Sequence, residues 1–326
     1  MAGRACKVAV LDDYQHVAER CADWSRLRPE AEVDFFHDHL SEPGEVVARL
    51  APFDVVCAMR ERTPFDAAML ATLPALKLLV TTGAANASID MEAAEECGVT
   101  VCGTGGVASA TPELTWALIL AALRHLPEET ASVRRGGWQE HVGIGLAGKT
   151  LGVIGLGRIG TAVARVGRAF GMHVIAWSQN LTAGRAAEQG VERVEKAALL
   201  ARADIVTIHL KLSERTRGLL GAAELALMKP SAWLVNTSRG PIVDEAALIE
   251  ALQARRIAGA ALDVFDVEPL PPGHPFRSLD NVVASPHIGY VTEETYRVFH
   301  GQTVENVRAW IDGAPVRVIG RPDTWP

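Results

Sequence analysis

Three short segments of this chain carry charged or titratable residues where buried α/β sequence is normally bland. They are Asn236-Thr237-Ser238-Arg239-Gly240-Pro241, Asp263-Val264-Phe265-Asp266-Val267-Glu268-Pro269 and Ser285-Pro286-His287-Ile288-Gly289. Each directly follows a run of strand type. Arg239, Asp263, Glu268 and His287 are therefore expected at the carboxyl ends of strands, where open α/β sheets bind ligands. Histidine exchanges protons near neutral pH, a neighbouring carboxylate favours its charged form, and arginine offers a planar fork to an anion. Taken singly, each of these residues reads as a surface-loop charge. Their joint occurrence behind the motif described next predicts one acid/base site with an anion anchor.

That motif is Gly155-Leu156-Gly157-Arg158-Ile159-Gly160. A strand candidate, Leu151–Ile154, precedes it; a helical pattern, Thr161–Phe170, and a further strand, His173–Trp177, follow. In that context the first glycine permits a tight turn and the second lets a pyrophosphate approach the backbone. The third lets helix and strand pack closely, and the helix N-terminus faces the phosphates. NAD-selective sites place a carboxylate at the tip of the second strand. Here the tip reads Ala176-Trp177-Ser178-Gln179-Asn180, with no acid, so both NADP and NAD are expected as cofactors, with NADP preferred. Ser178, Gln179 and Asn180 can bond phosphate oxygens, and Arg185 lies near enough in sequence to add charge. A second glycine-rich stretch, Gly103-Thr104-Gly105-Gly106, lacks the third glycine in register and reads as a hinge.

The elements that position these residues follow from alternating strand and helix patterns. The first hundred residues offer strands Lys7–Leu11, Val33–Phe36, Asp54–Ala58, Leu76–Thr81 and Val99–Cys102, with helical patterns at Glu45–Leu50 and Pro64–Leu73. A second series runs Leu151–Gly155, His173–Trp177, Ile205–Ile208, Ala232–Val235, Gly259–Leu262 and Val282–Ser285, with Asp244–Ala254 among its helices. Strands apolar on consecutive positions predict burial on both faces, as in parallel sheets. The fold class is α/β, with two doubly wound units in tandem. A helix over Thr111–Leu126, with Thr111 as N-cap and Pro112 in its first turn, links them. Its apolar positions surround most of its circumference, which predicts a homodimer covering it. The tail Thr292–Trp310 reads as a helix that crosses back to the first unit.

With 326 residues, 48% apolar and 22% charged, each unit can bury a core, and a net charge of −7 with interspersed signs lacks a nucleic-acid or membrane footprint. Five cysteines, an odd number without CxxC spacing, predict a reduced, cytoplasmic chain with no metal site. Asp12-Asp13 resembles a phosphoacceptor or metal loop, but no partner acids recur at the other strand ends. His37 and His39, in a polar loop, are expected to face solvent.

Nearly end to end, the sequence resembles the D-isomer-specific 2-hydroxyacid dehydrogenases, a family that includes phosphoglycerate dehydrogenases, glyoxylate/hydroxypyruvate reductases, D-lactate dehydrogenases and formate dehydrogenase. The resemblance rests on Glu113-Leu114-Thr115-Trp116, Gly137-Trp138-Gln139, Gly148-Lys149-Thr150-Leu151-Gly152, the glycine motif, His209-Leu210 with Thr216, and the three segments above. It implies a Rossmann nucleotide domain (105–289) inserted into a flavodoxin-like substrate domain (1–104 plus 290–326), with the active site in the cleft. It further implies hydride transfer between NAD(P)H and a small 2-oxo acid or D-2-hydroxy acid, and dimerisation through the nucleotide domain. Arg239 would orient substrate, Glu268 tune the base and His287 donate the proton. Gly155, Gly157, Arg158, Ile159, Gly160, Ser178, Gln179, His209, Thr216, Thr237 and Asp263 would face the cofactor, with Asp263 at the nicotinamide carboxamide. Substrate carboxylates would meet backbone N–H groups in the loop after the fourth strand, here Ala84 and Ala85, with Arg60 as a side-chain contact. Ala85 and Ala87 replace a family glycine and aspartate, and Lys211 a family proline. A dinucleotide-sensing corepressor of the same family is the competing expectation.

Overall fold

The computed structural model describes residues 4–320. The chain divides into two compact units: unit 1 comprises the chain up to Val107 and from Val291 onward, and unit 2 is Ala108–Tyr290. Unit 1 contains β1 (Cys6–Val10), α1 (Ala18–Cys21), β2 (Ala31–Phe35), α2 (Pro43–Leu50), β3 (Val55–Ala58), α3 (Ala67–Ala71), β4 (Leu78–Thr81), α4 (Met91–Glu96) and β5 (Thr100–Cys102). Its sheet is wholly parallel in the order β2-β1-β3-β4-β5, the flavodoxin-like arrangement. Every residue of β3 and β4 is buried, which is why these strands read as unbroken apolar runs.

Unit 2 opens with α5 (Ala110–Leu123) and α6 (Leu126–Arg134). It continues through β6 (Thr150–Ile154), α7 (Arg158–Ala169), β7 (His173–Trp177), α8 (Ala183–Glu188), β8 (Glu192–Arg193), α9 (Lys196–Arg202) and β9 (Ile205–Ile208). After these come α10 (Ala222–Leu225), β10 (Trp233–Asn236), α11 (Glu245–Gln253), β11 (Gly259–Leu262) and β12 (Val282–Ala284). Its seven strands are all parallel in the order β12-β11-β10-β9-β6-β7-β8. The α/β class with two doubly wound parallel sheets therefore holds. The last helix, α12 (Glu293–Ile311), belongs to unit 1, where Phe299, Val304 and Val307 enter the core and Asn306 Nδ2 donates to Gly103 O at 2.8 Å.

Several local expectations need correction. Thr111 is not an N-cap: α5 begins at Ala110 after Ser109, and the Thr111 hydroxyl donates to Gly289 O at 3.1 Å. The linking helix ends at Leu123, not Leu126; His125 takes left-handed φ +50° and a separate α6 follows. The apolar circumference of α5 is covered in part: Leu114 and Leu120 are half-buried and Ala117 is exposed. Trp116, Leu118, Ile119, Ala122 and Leu123 are buried by their own chain, against α7 and the strands β10 to β12. His39 is not solvent-facing: only 12% of its side chain is exposed, and Nδ1 lies 2.8 Å from Oδ1 of buried Asp12, which also accepts from Thr63 Oγ1. His37 is exposed, as expected, with Nδ1 3.1 Å from Asp13 O. The Gly103–Gly106 stretch, read as a hinge, lies just before the boundary between the units, with Gly103 N–H donating to Arg317 O and Gly105 N–H to Gln302 Oε1.

Among the described residues no helix is long and apolar enough to cross a membrane, and no group of three or more His, Cys, Asp or Glu is placed to hold a metal ion.

Candidate active site

Strand register in unit 2 places the predicted residues in one row. Trp177 pairs with Ile154, Ile154 with Ile208, Ile208 with Asn236, Asn236 with Leu262 and Leu262 with Ala284. The next residue on each strand is therefore, across the sheet, Ser178, Gly155, His209, Thr237, Asp263 and Ser285. Neighbouring parallel strands lie about 4.8 Å apart, so this row spans the carboxyl edge of the sheet.

The glycine motif shapes the centre of the row. Gly155 has φ +99°, and a Cβ there would meet His209 O at 2.5 Å; a Cβ on Gly160 would meet Gly155 O at 2.0 Å. Only glycine permits that turn and that helix–strand approach. A Cβ on Gly157 would meet nothing within 4 Å. Gly157 is the N-cap of α7, a twelve-residue helix whose first turn begins with Arg158 and Ile159. Open space before free helix N–H groups, beside an arginine, suits a pyrophosphate. The residues present thus fit a dinucleotide.

At one end of the row the loops after β10, β11 and β12 interlock. A Cβ on Gly240 would lie 2.1 Å from Phe265 C, so the first two loops touch. Asp263, fully buried, accepts Ser285 Oγ at 2.6 Å and Ile288 N at 2.8 Å on Oδ1, and Gly289 N at 2.8 Å on Oδ2. These three bonds grip the chain on both sides of His287, which sits at φ +52°, a conformation costly for a residue with a Cβ. Burial raises the Asp263 carboxyl above its ordinary value, and the three donors offset part of that rise.

His287 Nδ1 lies 2.6 Å from Glu268 Oε2, and Glu268 Oε1 accepts Phe265 N at 2.9 Å. The imidazole is 22% exposed and the carboxylate 32%. With Nδ1 engaged, Nε2 is the atom left to exchange a proton. Arg239, half-buried, follows β10; its backbone oxygen takes Asn236 Nδ2 at 2.9 Å and its Nη1 donates to Ser238 O at 2.7 Å.

His209 differs sharply. Its Nε2 is 2.9 Å from Thr207 Oγ1, Nδ1 is buried without a hydrogen-bond partner, and burial pushes its pKa down to about 3. It is neutral at working pH. Thr237 Oγ1 is paired with Thr115 Oγ1 at 2.9 Å, and Thr216 Oγ1 closes its own loop on Lys211 O at 2.8 Å.

In unit 1, Arg60 takes φ +54°; its N–H donates to Thr82 Oγ1 and its Nη1 to Thr82 O. This sets it against the loop holding Ala84 and Ala85, and among the described residues neither of those N–H groups has a backbone acceptor. Two features escape a reading of the sequence: the Ser285–Asp263 bond, which joins two strand ends 22 residues apart, and β8, whose two exposed residues, Glu192 and Arg193, carry no periodicity.

Comparison with known proteins shows the family. The family described as D-isomer specific 2-hydroxyacid dehydrogenase, NAD binding domain, matches residues 116–289. The chain is 42% identical over 267 residues to the glyoxylate reductase of Aeropyrum pernix, covering 78% of this chain and 80% of that protein. It is 40% identical over 273 residues to the D-3-phosphoglycerate dehydrogenase of Methanocaldococcus jannaschii, covering 82% of this chain but only 52% of that longer protein. Among solved structures, a phosphoglycerate oxidoreductase from Vibrio cholerae superposes with a TM-score of 0.90 at 39% identity, over 95% of this chain and all of that one. The chain belongs to the D-isomer-specific 2-hydroxyacid dehydrogenase family and is a nicotinamide-dinucleotide-dependent oxidoreductase.

Proposed function

We propose that this enzyme reduces a small 2-oxo acid to the D-2-hydroxy acid, with His287 as proton donor, Glu268 as its partner and Arg239 as substrate anchor. The observation that carries the reading is the 2.6 Å His287–Glu268 pair, held by Asp263 in the same row as the glycine motif. The reduced nicotinamide, when bound, supplies the hydride. His287 Nε2 delivers the proton to the carbonyl oxygen while Glu268 stabilises the imidazolium and fixes the ring. Arg239 presents donors that keep their charge as negative charge grows on that oxygen. Gly155, Gly157, Arg158, Ile159 and Gly160 hold the pyrophosphate, and Asp263 with His209, Thr216 and Thr237 lines the nicotinamide half. Arg60, Ala84 and Ala85 are the carboxylate-binding groups assigned to unit 1.

Ser178 stands where a carboxylate would select NAD, so NADP is accepted and preferred. A second copy of the chain is assigned to the segment after α5, where Leu126, Val133, Trp138 and Val142 are exposed, Trp138 by 76% and Val142 by 93%; a dimeric mass by light scattering at micromolar concentration is the expected result.

The deciding experiment follows oxidation of NADPH and NADH with glyoxylate, hydroxypyruvate, pyruvate, 2-oxoglutarate and phosphohydroxypyruvate. Glyoxylate is the first candidate because the Aeropyrum relative is a glyoxylate reductase. Turnover of at least one acid is expected. Dinucleotide binding without turnover of any would overturn the assignment in favour of a regulatory protein.

A further inference from the structure

The turn after β7 carries the residues that meet the adenosine ribose in Rossmann sites. Leu181 N–H donates to Ser178 O at 3.0 Å, Leu181 is buried, and Gln179 and Asn180 are the exposed corners between them. Arg185, the cation nearest in sequence, sits one turn into α8, where its N–H donates to the capping Thr182 hydroxyl. Pairing of β8 with β7 brings a different cation to the turn. Arg193 lies beside Ala176, two residues before the Ser178 row. Its Nε donates to Leu181 O at 3.3 Å, and its Nη1 lies 2.6 Å from Glu195 Oε1. Arg193 is 34% exposed and Glu195 69%, so the ion pair between them is weak and exchangeable.

We propose that Arg193 is the specificity-determining cation of the dinucleotide site: it takes the 2′-phosphate of NADP(H), exchanging Glu195 for that phosphate. The inference rests on the dinucleotide reading above and deepens it. Three observations converge on the assignment. The guanidinium is tethered at the turn where the selecting carboxylate is missing. Its present partner is an exposed acid that a phosphate, with more charge and three acceptor oxygens, can displace. The turn also offers hydroxyl and amide donors at Ser178, Gln179 and Asn180 to complete a phosphate shell. Glu195 is the opposing charge. It neutralises the arginine in the absence of phosphate and repels a 2′-phosphate in its presence, which keeps the NADP preference modest.

The test measures binding of 2′,5′-ADP and 5′-AMP to the full chain by calorimetry, which needs neither nicotinamide nor 2-oxo acid. The wild type should bind 2′,5′-ADP more tightly. Arg193→Gln should cut that advantage about tenfold, with 5′-AMP affinity unchanged, and Arg193→Lys should restore part of it. Glu195→Gln should raise 2′,5′-ADP affinity about threefold, and since Glu195 makes no side-chain cap bond to α9, that helix is not at risk. The advantage should also shrink as salt rises. An unchanged ratio in Arg193→Gln overturns the proposal, as does equal loss of both nucleotides, which would make Arg193 a support for the turn alone. A wild type that reduces a 2-oxo acid with NADH yet binds 2′,5′-ADP no better than 5′-AMP overturns this inference and leaves the proposed reaction standing. A wild type that binds neither nucleotide and turns nothing over overturns both.

Discussion

The two ends of the unit 2 row are built in opposite ways. After β12, the segment Ser285–Gly289 is gripped by a buried carboxylate through three hydrogen bonds, and it carries a histidine in a left-handed conformation. After β7, the turn Ser178–Leu181 is closed by one backbone bond and one arginine contact, and its corners face solvent. The first arrangement fixes the backbone on both sides of His287. The second fixes little beyond the path of the chain. The proposed reaction places the chemistry at the interlocked end and leaves cofactor choice to an exposed turn that substitutions can retune without touching the core.

That contrast is broken most directly at His287. His287→Ala should lower kcat by about 10²–10⁴-fold, while 2′,5′-ADP and 5′-AMP affinities stay at wild-type values, because four strands stand between β12 and β7 in the sheet order. Arg239→Ala should behave alike. A parallel loss of nucleotide affinity in either variant would mean the two ends are not separate.

Asp263→Asn probes the grip itself. An amide at this position presents N–H groups to a site that contains three donors, so at least one of the bonds to Ser285, Ile288 and Gly289 is lost. The expected kcat loss is about 100-fold through misplacement of His287. Stability should respond both to the lost bond and to the lost ionisation. A carboxyl whose folded pKa is raised works against the fold as pH climbs from its unfolded value through the folded one. The neutral amide escapes that cost but leaves a buried donor without its acceptor, so the loss in Tm should be smaller at pH 7 than below about pH 4. A Tm deficit equal at pH 7 and below about pH 4 would show that ionisation of Asp263 does not weigh on the fold.

Legibility from sequence follows the same division. Two of the three strands of the interlocked end are readable because parallel interior strands are apolar at nearly every position: β10 and β11 are buried throughout, whereas the edge strand β12 is only half-buried. Arg239, Glu268 and His287 stand out against that apolar background. What joins them does not, since the Asp263 bonds link positions 22 to 26 residues apart and depend on register rather than on motif. At the other end, β8 is two exposed residues long, so no periodicity marks it and nothing in the sequence singles out Arg193. The break at His125 is hidden for a similar reason: the left-handed residue is a histidine, not the glycine that usually announces such a turn. His39 misleads because its partner Asp12, 27 residues away, is invisible to a local reading of polarity.

The exposed turn should accept a carboxylate without structural penalty. Ser178→Asp places an acceptor for the ribose hydroxyls where Ser178 stands half-buried, and adds repulsion toward a 2′-phosphate. The ratio of kcat/KM for NADPH over NADH should fall about tenfold, equivalent to about 1.4 kcal/mol, with kcat for NADH and the melting temperature unaltered. A fall in NADH turnover as large as the fall in NADPH turnover would show that the turn does more than choose the cofactor.

The smallest expected effect separates the two strand-end histidines by pH. Glu268→Gln removes the negative charge beside His287, so the alkaline limit of reduction should move to lower pH. His209→Asn should leave that limit where it is. Burial holds His209 near a pKa of about 3, Nδ1 has no partner, and no charged group stands in for the lost hydration. The ring is therefore neutral throughout any range in which the enzyme works, and a group that does not titrate cannot set a pH limit. Its replacement should appear only as a weaker KM for the dinucleotide, whose nicotinamide half His209 lines in the proposed reading. Rate profiles from about pH 5 to about pH 10, which bracket the ordinary histidine pKa, decide the matter for the wild type and the two variants. A shift in His209→Asn equal to that in Glu268→Gln would transfer the acid from the end of β12 to the end of β9, and with it the assignment of the proton donor.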